Sequence, residues 1–516
     1  MKKGKVYLVG AGPGDPGLIT RKALKCIREA DVIIYDHLAS ESFLNEAGND
    51  AELIYAGKCA GHHHMKQSEI EMLLTEKAME GKNVVRLKGG DPLIFGRGSE
   101  EALALNREGI PWEVVPGISS AYSVPAYGGI PVTHRGLASS VHIITGHEKP
   151  GKSGSDVDYH TLAKEKGTLV FLMGVSRLGE IAHKLIGEGK VKDTPAAVIQ
   201  EGTTAHQKMV TGTLENIQDR VQEAGIRPPA IFLVGAVAGL SDKLQWFAKG
   251  SLFGQRILLT GTRPLVHTLH ERIDDLGGEA FDMSLIQIYP ESDEKLSQGL
   301  LKETGDLKPF SWIVFTSSNG VRVFFDFIRR QAVDFRQLAS VRFAVIGQGT
   351  RQCLGEYGFQ ADLMPRSFTA EALADELRQN VSGSEPILLF RAAQASEKMS
   401  ERLKEAGMNY TDLAAYATIP DMRKAELLRS CLENVDMITF ASASAVKAFC
   451  VMTEGMDRRS FGKIVCIGPV TAACAQKQGL DVAKTADIYT TEGLINSLME
   501  VAENGNDQTA ETAEEQ

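Results

Sequence analysis

Apolar, β-branched runs alternate with helix-period segments along almost the whole chain. Strands are predicted at Lys5–Gly10, Asp31–Tyr35, Ala51–Ala56, Asn83–Leu87 and Trp112–Val115, then at Val141–Thr145, Thr168–Met173, Ala196–Gln200 and Ala230–Gly235. Most of these runs are apolar throughout rather than alternating, as expected for strands covered on both faces. Between them the spacing predicts helices, for example over Ser68–Glu80 and Gly98–Arg107. The fold class is therefore α/β.

The alternation breaks near Asp242–Gly254 and restarts with a strand at Arg256–Thr260. This divides the chain into a first module, 1–245, a linker, 246–254, and a second module, 255–502. A softer boundary near Pro116–Ser120 splits the first module into subdomains of about 1–118 and 119–245. The second module contains an internal repeat. Ile313–Phe324 (IVFTSSNGVRVF) aligns with Ile438–Phe449 (ITFASASAVKAF), and Ala344–Thr350 (AVIGQGT) with Val465–Thr471 (VCIGPVT). Gly358, Thr369, Glu371 and Leu373 then match Gly479, Thr490, Glu492 and Leu494 in constant register. Two similar lobes follow, with lobe one at about 255–290 plus 418–502 and lobe two at about 291–417. Glu503–Gln516 has no large apolar residue and reads as a disordered tail.

Length and composition add bounds. At 516 residues, 43% hydrophobic and 24% charged, each module can bury a core. A net charge of -10 speaks against a nucleic-acid partner, but a few local arginines still suit an anionic small molecule. Seven widely spaced cysteines without a CxxC pair read as reduced thiols of a cytoplasmic protein. No stretch has the length of a membrane span. The run His62-His63-His64 has no partner at a recognised ligand spacing, so no metal is expected.

Candidate chemistry begins at the first turn. Gly12–Gly17 fits GxGxxG, with Asp31 and Asp36 about 20 residues on, which is the dinucleotide pattern. Pro13 and Pro16 oppose that reading, because a phosphate cradle works through N–H groups that proline lacks. Taken together, VGAGPGDPGLIT, ADVIIYDHLAS, VVRLKGGDPLIFGRGSEE and VVPGISSAYSVPAYGGIPVTHRG make the first module resemble the uroporphyrinogen-III C-methyltransferases of the tetrapyrrole methylase family. The likeness runs collinearly from Val6 to Ala238.

The resemblance implies two α/β subdomains, a homodimer, S-adenosyl-L-methionine as methyl donor, and methylation of uroporphyrinogen III at C2 and C7 to precorrin-2. It places the donor at Pro13, Gly89, Gly90, Asp91, Ile94, Ser119, Ser120, Met173 and Gly202. Ser119-Ser120 stand where the family often has Thr-Ala. Attack by a pyrrole carbon leaves a proton to be lost, and a carboxylate suits that task. Asp36 holds the family's base position and Lys58 its proton-donor position, with Glu100 a further candidate base; the plain structural alternative for Asp36 is a helix cap. Arg97 and Arg135 match the family's motifs, and arginine forks suit the substrate's carboxylates.

The second module is similar to the uroporphyrinogen-III synthases, through ILLTGTRP, WIVFTSSNGVRVF, FAVIGQGT, LLFRAAQ, AAYAT, ITFASASAVKAF and VCIGPVT. The likeness implies cyclisation of hydroxymethylbilane to uroporphyrinogen III. Thr316, Ser317, Ser318 and Asn319 after one strand, and Ser442 and Ser444 after another, are candidate carboxylate binders or helix caps. Tyr416 lies where the family has a tyrosine proposed to assist loss of hydroxyl, and Arg263 and Arg391 are further anion candidates. The alternative is a non-catalytic, tetrapyrrole-binding second module.

Overall fold

The computed structural model describes residues 3–36, 41–48, 50–57, 65–146, 157–261 and 263–514. Among the described residues, twenty strands form four five-stranded sheets. The first sheet comprises β1 (Val6–Gly10), β2 (Val32–Tyr35), β3 (Glu52–Tyr55), β4 (Val84–Lys88) and β5 (Trp112–Val115). Its order is β3-β2-β4-β1-β5 and every pair is parallel. Val9, Ile33, Val85 and Leu87 pack on one face against Ala23, Cys26 and Ile27 of the helix Arg21–Arg28. Leu8, Ile34 and Val84 pack on the other against Ile70, Leu74 and Ala78, the inward stripe of the helix Gln67–Met79. Burial on both faces is why β1 and β2 read as continuous apolar runs.

The second sheet comprises β6 (Val141–Thr145), β7 (Thr168–Leu172), β8 (Pro195–Gln200), β9 (Lys208–Thr213) and β10 (Ala230–Val234), in the order β6-β7-β10-β8-β9. Only β6 and β7 are parallel. The pattern misses β9. It is an edge strand that pairs with β8 alone and is half-exposed along its length.

The remaining strands are β11 (Arg256–Thr260), β12 (Glu279–Asp282), β13 (Ile286–Pro290), β14 (Trp312–Phe315), β15 (Arg342–Val345), β16 (Ile387–Ala392), β17 (Tyr410–Pro420), β18 (Met437–Phe440), β19 (Lys463–Cys466) and β20 (Val482–Thr485). They form the sheets β12-β11-β18-β19-β20 and β13-β17-β16-β14-β15. The repeated segments supply β14 and β15 in one sheet and β18 and β19 in the other, adjacent and parallel in both. The chain divides into two compact units. One holds residues 1–283, 426–443 and 455–516; the other holds 284–425 and 444–454.

Three expectations change. β13, expected with lobe one, pairs antiparallel with the long β17 in the sheet of lobe two, so that lobe begins earlier. The segment expected as a linker is pinned instead: Trp246 and Phe247 pack edge-on against Tyr127 at 4.9 and 4.7 Å between ring centroids, and Trp246 Nε1 donates to Ala126 O at 3.0 Å. The tail expected to be disordered continues the helix Thr491–Glu514. Leu494, Ile495 and Leu498 bury its first turns.

Candidate active sites

In the first module, separate loops converge at the carboxyl ends of the strands. β1 runs into Gly10–Gly17 and β4 into Gly89–Asp91. Gly12 N donates to Gly90 O at 3.2 Å, and Gly90 N returns a bond to Gly12 O at 2.6 Å. Asp91 ties this turn to the next loop, its Oδ1 accepting from Leu93 N at 2.8 Å and its Oδ2 from Gly117 N at 3.1 Å. Gly117 must be glycine, because a Cβ there would sit 2.2 Å from Gly90 O. Ser119 caps the helix Ser120–Tyr127, accepting from Ala121 N.

From the second sheet come Met173, half-exposed with φ 55°, and the loop Glu201–Gln207. Glu201 (φ 45°) and Thr203 (φ 71°) are both left-handed and flank Gly202. Such conformations cost about 1–3 kcal/mol each for non-glycine residues and persist where contacts over-determine them. Those contacts are present. Asp15 N donates to Thr203 Oγ1 at 3.1 Å, Thr203 N donates to Gln207 Oε1 at 2.9 Å, and Gln207 Nε2 donates to Tyr127 O at 3.2 Å. Tyr127 OH closes the circle on Asp15 Oδ2, and burial together with this bond pushes the phenol well above its ordinary value.

The first turn is not a phosphate cradle. Gly12 N is spent on Gly90 O, Asp15 N on Thr203, Gly17 N on Asp15 Oδ1 and Leu18 N on Asp15 O, while Pro13 and Pro16 have no N–H to offer. The dinucleotide reading fails on that ground.

Asp36 stands at the end of β2, and Arg86 Nη2 donates to its Oδ2 at 3.0 Å. Arg86 (3% exposed) also donates to the carbonyls of Ile34 and Leu87. Behind it Glu101, wholly buried, accepts from Lys88 Nζ at 2.8 Å and Gln67 Nε2 at 3.3 Å. Its Oε1 also lies 3.4 Å from Arg86 Nε, and its Oε2 has no hydrogen-bond partner. Burial, then the adjacent Arg86, hold Lys88 below the ordinary lysine range. Arg97 and Glu100 are exposed and bind each other through two bonds, at 2.9 and 2.7 Å. Arg135 is exposed on the turn His134–Ala138. Lys58 and His62–His64 lie outside the described residues.

In the sheet of lobe two, Ser317 caps the helix Ser318–Arg330 and its Oγ lies 2.7 Å from Tyr416 OH. Tyr416 is 3% exposed; burial raises its phenol, and the Ser317 bond offsets part of that rise. Thr316, Ser318 and Asn319 are half-buried beside Ser317 in sequence, at the carboxyl end of β14. Ser442 and Ser444 occupy the matching place after β18. Arg391 departs from expectation. It is 7% exposed and bonded to both carboxylate oxygens of Asp412, to Ser396 O and to Ser400 Oγ. A guanidinium so occupied is a strut between β16 and β17 rather than an anion ligand. The side chain of Arg263 lies outside the described residues.

Residues 5–218 match the family model of Tetrapyrrole (Corrin/Porphyrin) Methylases, and residues 267–496 match Uroporphyrinogen-III synthase HemD. The chain is 38% identical over 504 residues to the Porphyrin biosynthesis protein HemD of Ruminiclostridium josui, covering 97% of this chain and 99% of that one. The chain belongs to the tetrapyrrole methylases, in fusion with the uroporphyrinogen-III synthase family. Uroporphyrinogen-III C-methyltransferase of Bacillus subtilis is 43% identical over 340 residues, 66% of this chain and 69% of its own. The S-adenosyl-L-methionine-dependent uroporphyrinogen III methyltransferase of Methanosarcina barkeri is 55% identical over 241 residues, 47% of this chain and 94% of its own.

Within the tetrapyrrole methylase module, Pro13, Gly89, Gly90, Asp91, Ser119 and Ser120 come together on the bonded loops of the first sheet's rim. Gly202 joins them through Thr203 and Asp15. Ile94 is exposed on the turn after Asp91. Sequence reasoning missed Arg86, Lys88, Glu101, Tyr127, Thr203 and Gln207. A signal for the first two was available: charges two apart on one face of a strand otherwise buried throughout need a buried counter-charge.

Proposed function

We propose that the chain is a bifunctional tetrapyrrole-synthesis enzyme. Its synthase module cyclises hydroxymethylbilane to uroporphyrinogen III, and its methylase module methylates that product at C2 and C7 to precorrin-2. The convergence of the loops Gly10–Gly17, Gly89–Asp91, Gly117–Ser120 and Glu201–Gln207 beside an arginine-held Asp36 carries the methylation reading.

The residues fit a methyl donor. A Cβ at Gly90 would have no atom nearer than 4.0 Å, so this turn leaves open space where backbone can approach a ligand. When bound, S-adenosyl-L-methionine supplies an activated methyl group on a sulfonium centre. Asp91 fixes the turn in advance through Leu93 N and Gly117 N, so little reorganisation remains. Asp36 takes the proton released when a pyrrole carbon is alkylated, and Arg86 keeps its Oδ2 oriented. Arg97 and Arg135 meet substrate carboxylates; for Arg97 this means exchanging Glu100 for the substrate. Lys58 as proton donor rests on the family likeness alone.

In the synthase module, Ser317 holds Tyr416 OH in place to assist departure of hydroxyl. Thr316, Ser318, Asn319, Ser442 and Ser444 supply hydroxyl, amide and helix-terminal donors to carboxylates. A homodimer through the methylase module and a cytoplasmic setting complete the proposal, both supported by the family likeness.

The test is a coupled assay with the full chain, hydroxymethylbilane and S-adenosyl-L-methionine, read by mass and absorbance. A product two methyl groups heavier than uroporphyrinogen is expected. Methylation of added uroporphyrinogen III with none from hydroxymethylbilane reduces the second module to a binding lobe pair. Methylation of neither refutes the proposal.

A further inference from the structure

Loop Glu201–Gln207 carries two left-handed residues, and its bonds to Asp15 and Tyr127 restrain only one side of it. Its other side is held by lobe one of the synthase module. Ala205 N donates to Glu279 Oε2 at 3.1 Å, and the same oxygen accepts from Arg256 Nε at 3.1 Å. His206 Nε2 donates to Asp436 Oδ2 at 2.8 Å, and that oxygen also accepts from Arg256 N at 2.7 Å. Arg256 Nη2 lies 3.7 Å from Glu201 Oε2. The groups come from β11, from β12 and from the residue just before β18, three neighbouring strands of one sheet. Leu427 of the same lobe packs against the core of the first sheet, so the contact does not rest on polar groups alone.

We propose that Arg256, Glu279 and Asp436 are positioning residues for the methyl-donor site, through which the synthase lobe holds loop Glu201–Gln207 ready for the donor. The proposal rests on the reading of these loops as that site. A loop fixed in its ligand-bound shape loses less freedom when the ligand arrives, so the lobe's contribution appears as affinity for the donor. The Methanosarcina barkeri methyltransferase matches over 94% of its length within 47% of this chain, and so has no counterpart of the lobe. The lobe therefore tunes the loop, and the expected effect is graded rather than total.

The experiment uses the full chain with Asp436→Asn and, separately, Glu279→Ala. Asparagine keeps an acceptor for Arg256 N but loses the carboxylate facing His206. Binding of S-adenosyl-L-homocysteine is measured by calorimetry, methylation of uroporphyrinogen III by kcat and KM for S-adenosyl-L-methionine, and cyclisation rate reports that the lobe is intact. Kd and KM are expected to rise about threefold to tenfold, with kcat at saturating donor and cyclisation within twofold of the parent. Asp91→Ala serves as reference for the donor site. If Asp91→Ala weakens binding while both lobe variants bind as the parent does, the positioning role is overturned and the donor site stands. If Asp91→Ala also binds as the parent does, the donor-site reading and the proposal fall together. A fall in kcat at unchanged Kd likewise overturns it.

Discussion

Glu101 is the hinge of the buried charge network behind Asp36, and replacing it with alanine tests whether that network is as closed as its geometry says. Glu101 is wholly buried, with Lys88 at 5% and Arg86 at 3% exposed. Glu101→Ala strips Lys88 of its carboxylate partner at 2.8 Å and leaves an ammonium in a strand covered on both faces. Arg86 keeps Asp36 and two carbonyls, so the unmatched charge falls on Lys88. Breaking a buried pair from one side costs about 3–5 kcal/mol. In a module of this size 1 kcal/mol moves the melting temperature by about 2–4 °C, so a fall of about 6–20 °C is expected.

The assay is differential scanning calorimetry of the full chain, following the transition that S-adenosyl-L-homocysteine raises. Glu100→Ala is the internal control: one residue away, exposed and paired at the surface with Arg97, it should shift the melt by no more than about 3 °C. Glu101→Leu with Lys88→Met, which removes both charges, should recover much of the loss. If Glu101→Ala melts with the Glu100→Ala control, the network is not the closed, low-dielectric cluster described and its part in holding Asp36 goes with it.

Asp36→Asn should lower kcat for methylation by about 100-fold or more while S-adenosyl-L-homocysteine affinity stays within twofold, measured by initial rates and calorimetry; full activity removes Asp36 from the mechanism. Tyr416→Phe should slow cyclisation of hydroxymethylbilane by at least about tenfold with methylation of added uroporphyrinogen III unchanged, since Ser317 alone remains at that position. His270 lies between Asp282, at 2.8 Å, and Asp274, at 3.2 Å; burial opposes its charge, but the two carboxylates prevail and raise it to about 10. A raised value means the folded state binds the proton more tightly. Its contribution is thus complete below about pH 6.5 and lost as pH climbs toward 10. The melting-temperature deficit of His270→Gln should shrink over that interval, and a deficit independent of pH would count against the pairing.

The strands were legible as apolar runs, whether buried throughout, as β7 is, or half-exposed, as β6 is. β5, β6 and β11 fall where the pattern put them, and the other predicted strands differ by one residue at one or both ends. β9 was illegible because an edge strand with one bonded neighbour need not alternate cleanly. The assignment of β13 failed for a related reason: a short strand carries no mark of which sheet it joins. Motif order brought the glycine loops and Asp36 into view. The contacts that fix them, from Thr203, Gln207, Glu279 and Asp436, involve residues with no local pattern, and they pair across sequence separations that only tertiary structure reveals. Arg391 shows the converse error, since a lone arginine after a strand looks the same whether it meets an anion or, as here, Asp412.

Lobe one is written in two pieces, β11 and β12 before the inserted lobe two and β18–β20 after it. The bond from Arg256 N to Asp436 spans 180 residues of chain. At about 5–20 residues per second of synthesis, β11 waits roughly 10–40 s on the ribosome with one edge lacking β18, its parallel neighbour in the finished sheet. During that wait the exposed edge is a template for pairing with another nascent chain. The methylase module is already complete by then, with its loop Glu201–Gln207 still unclamped. On the proposed reading, birth order separates the two activities in time: methyl-donor binding first and loosely, then both together once roughly the last fifth of the chain arrives to close a sheet begun long before.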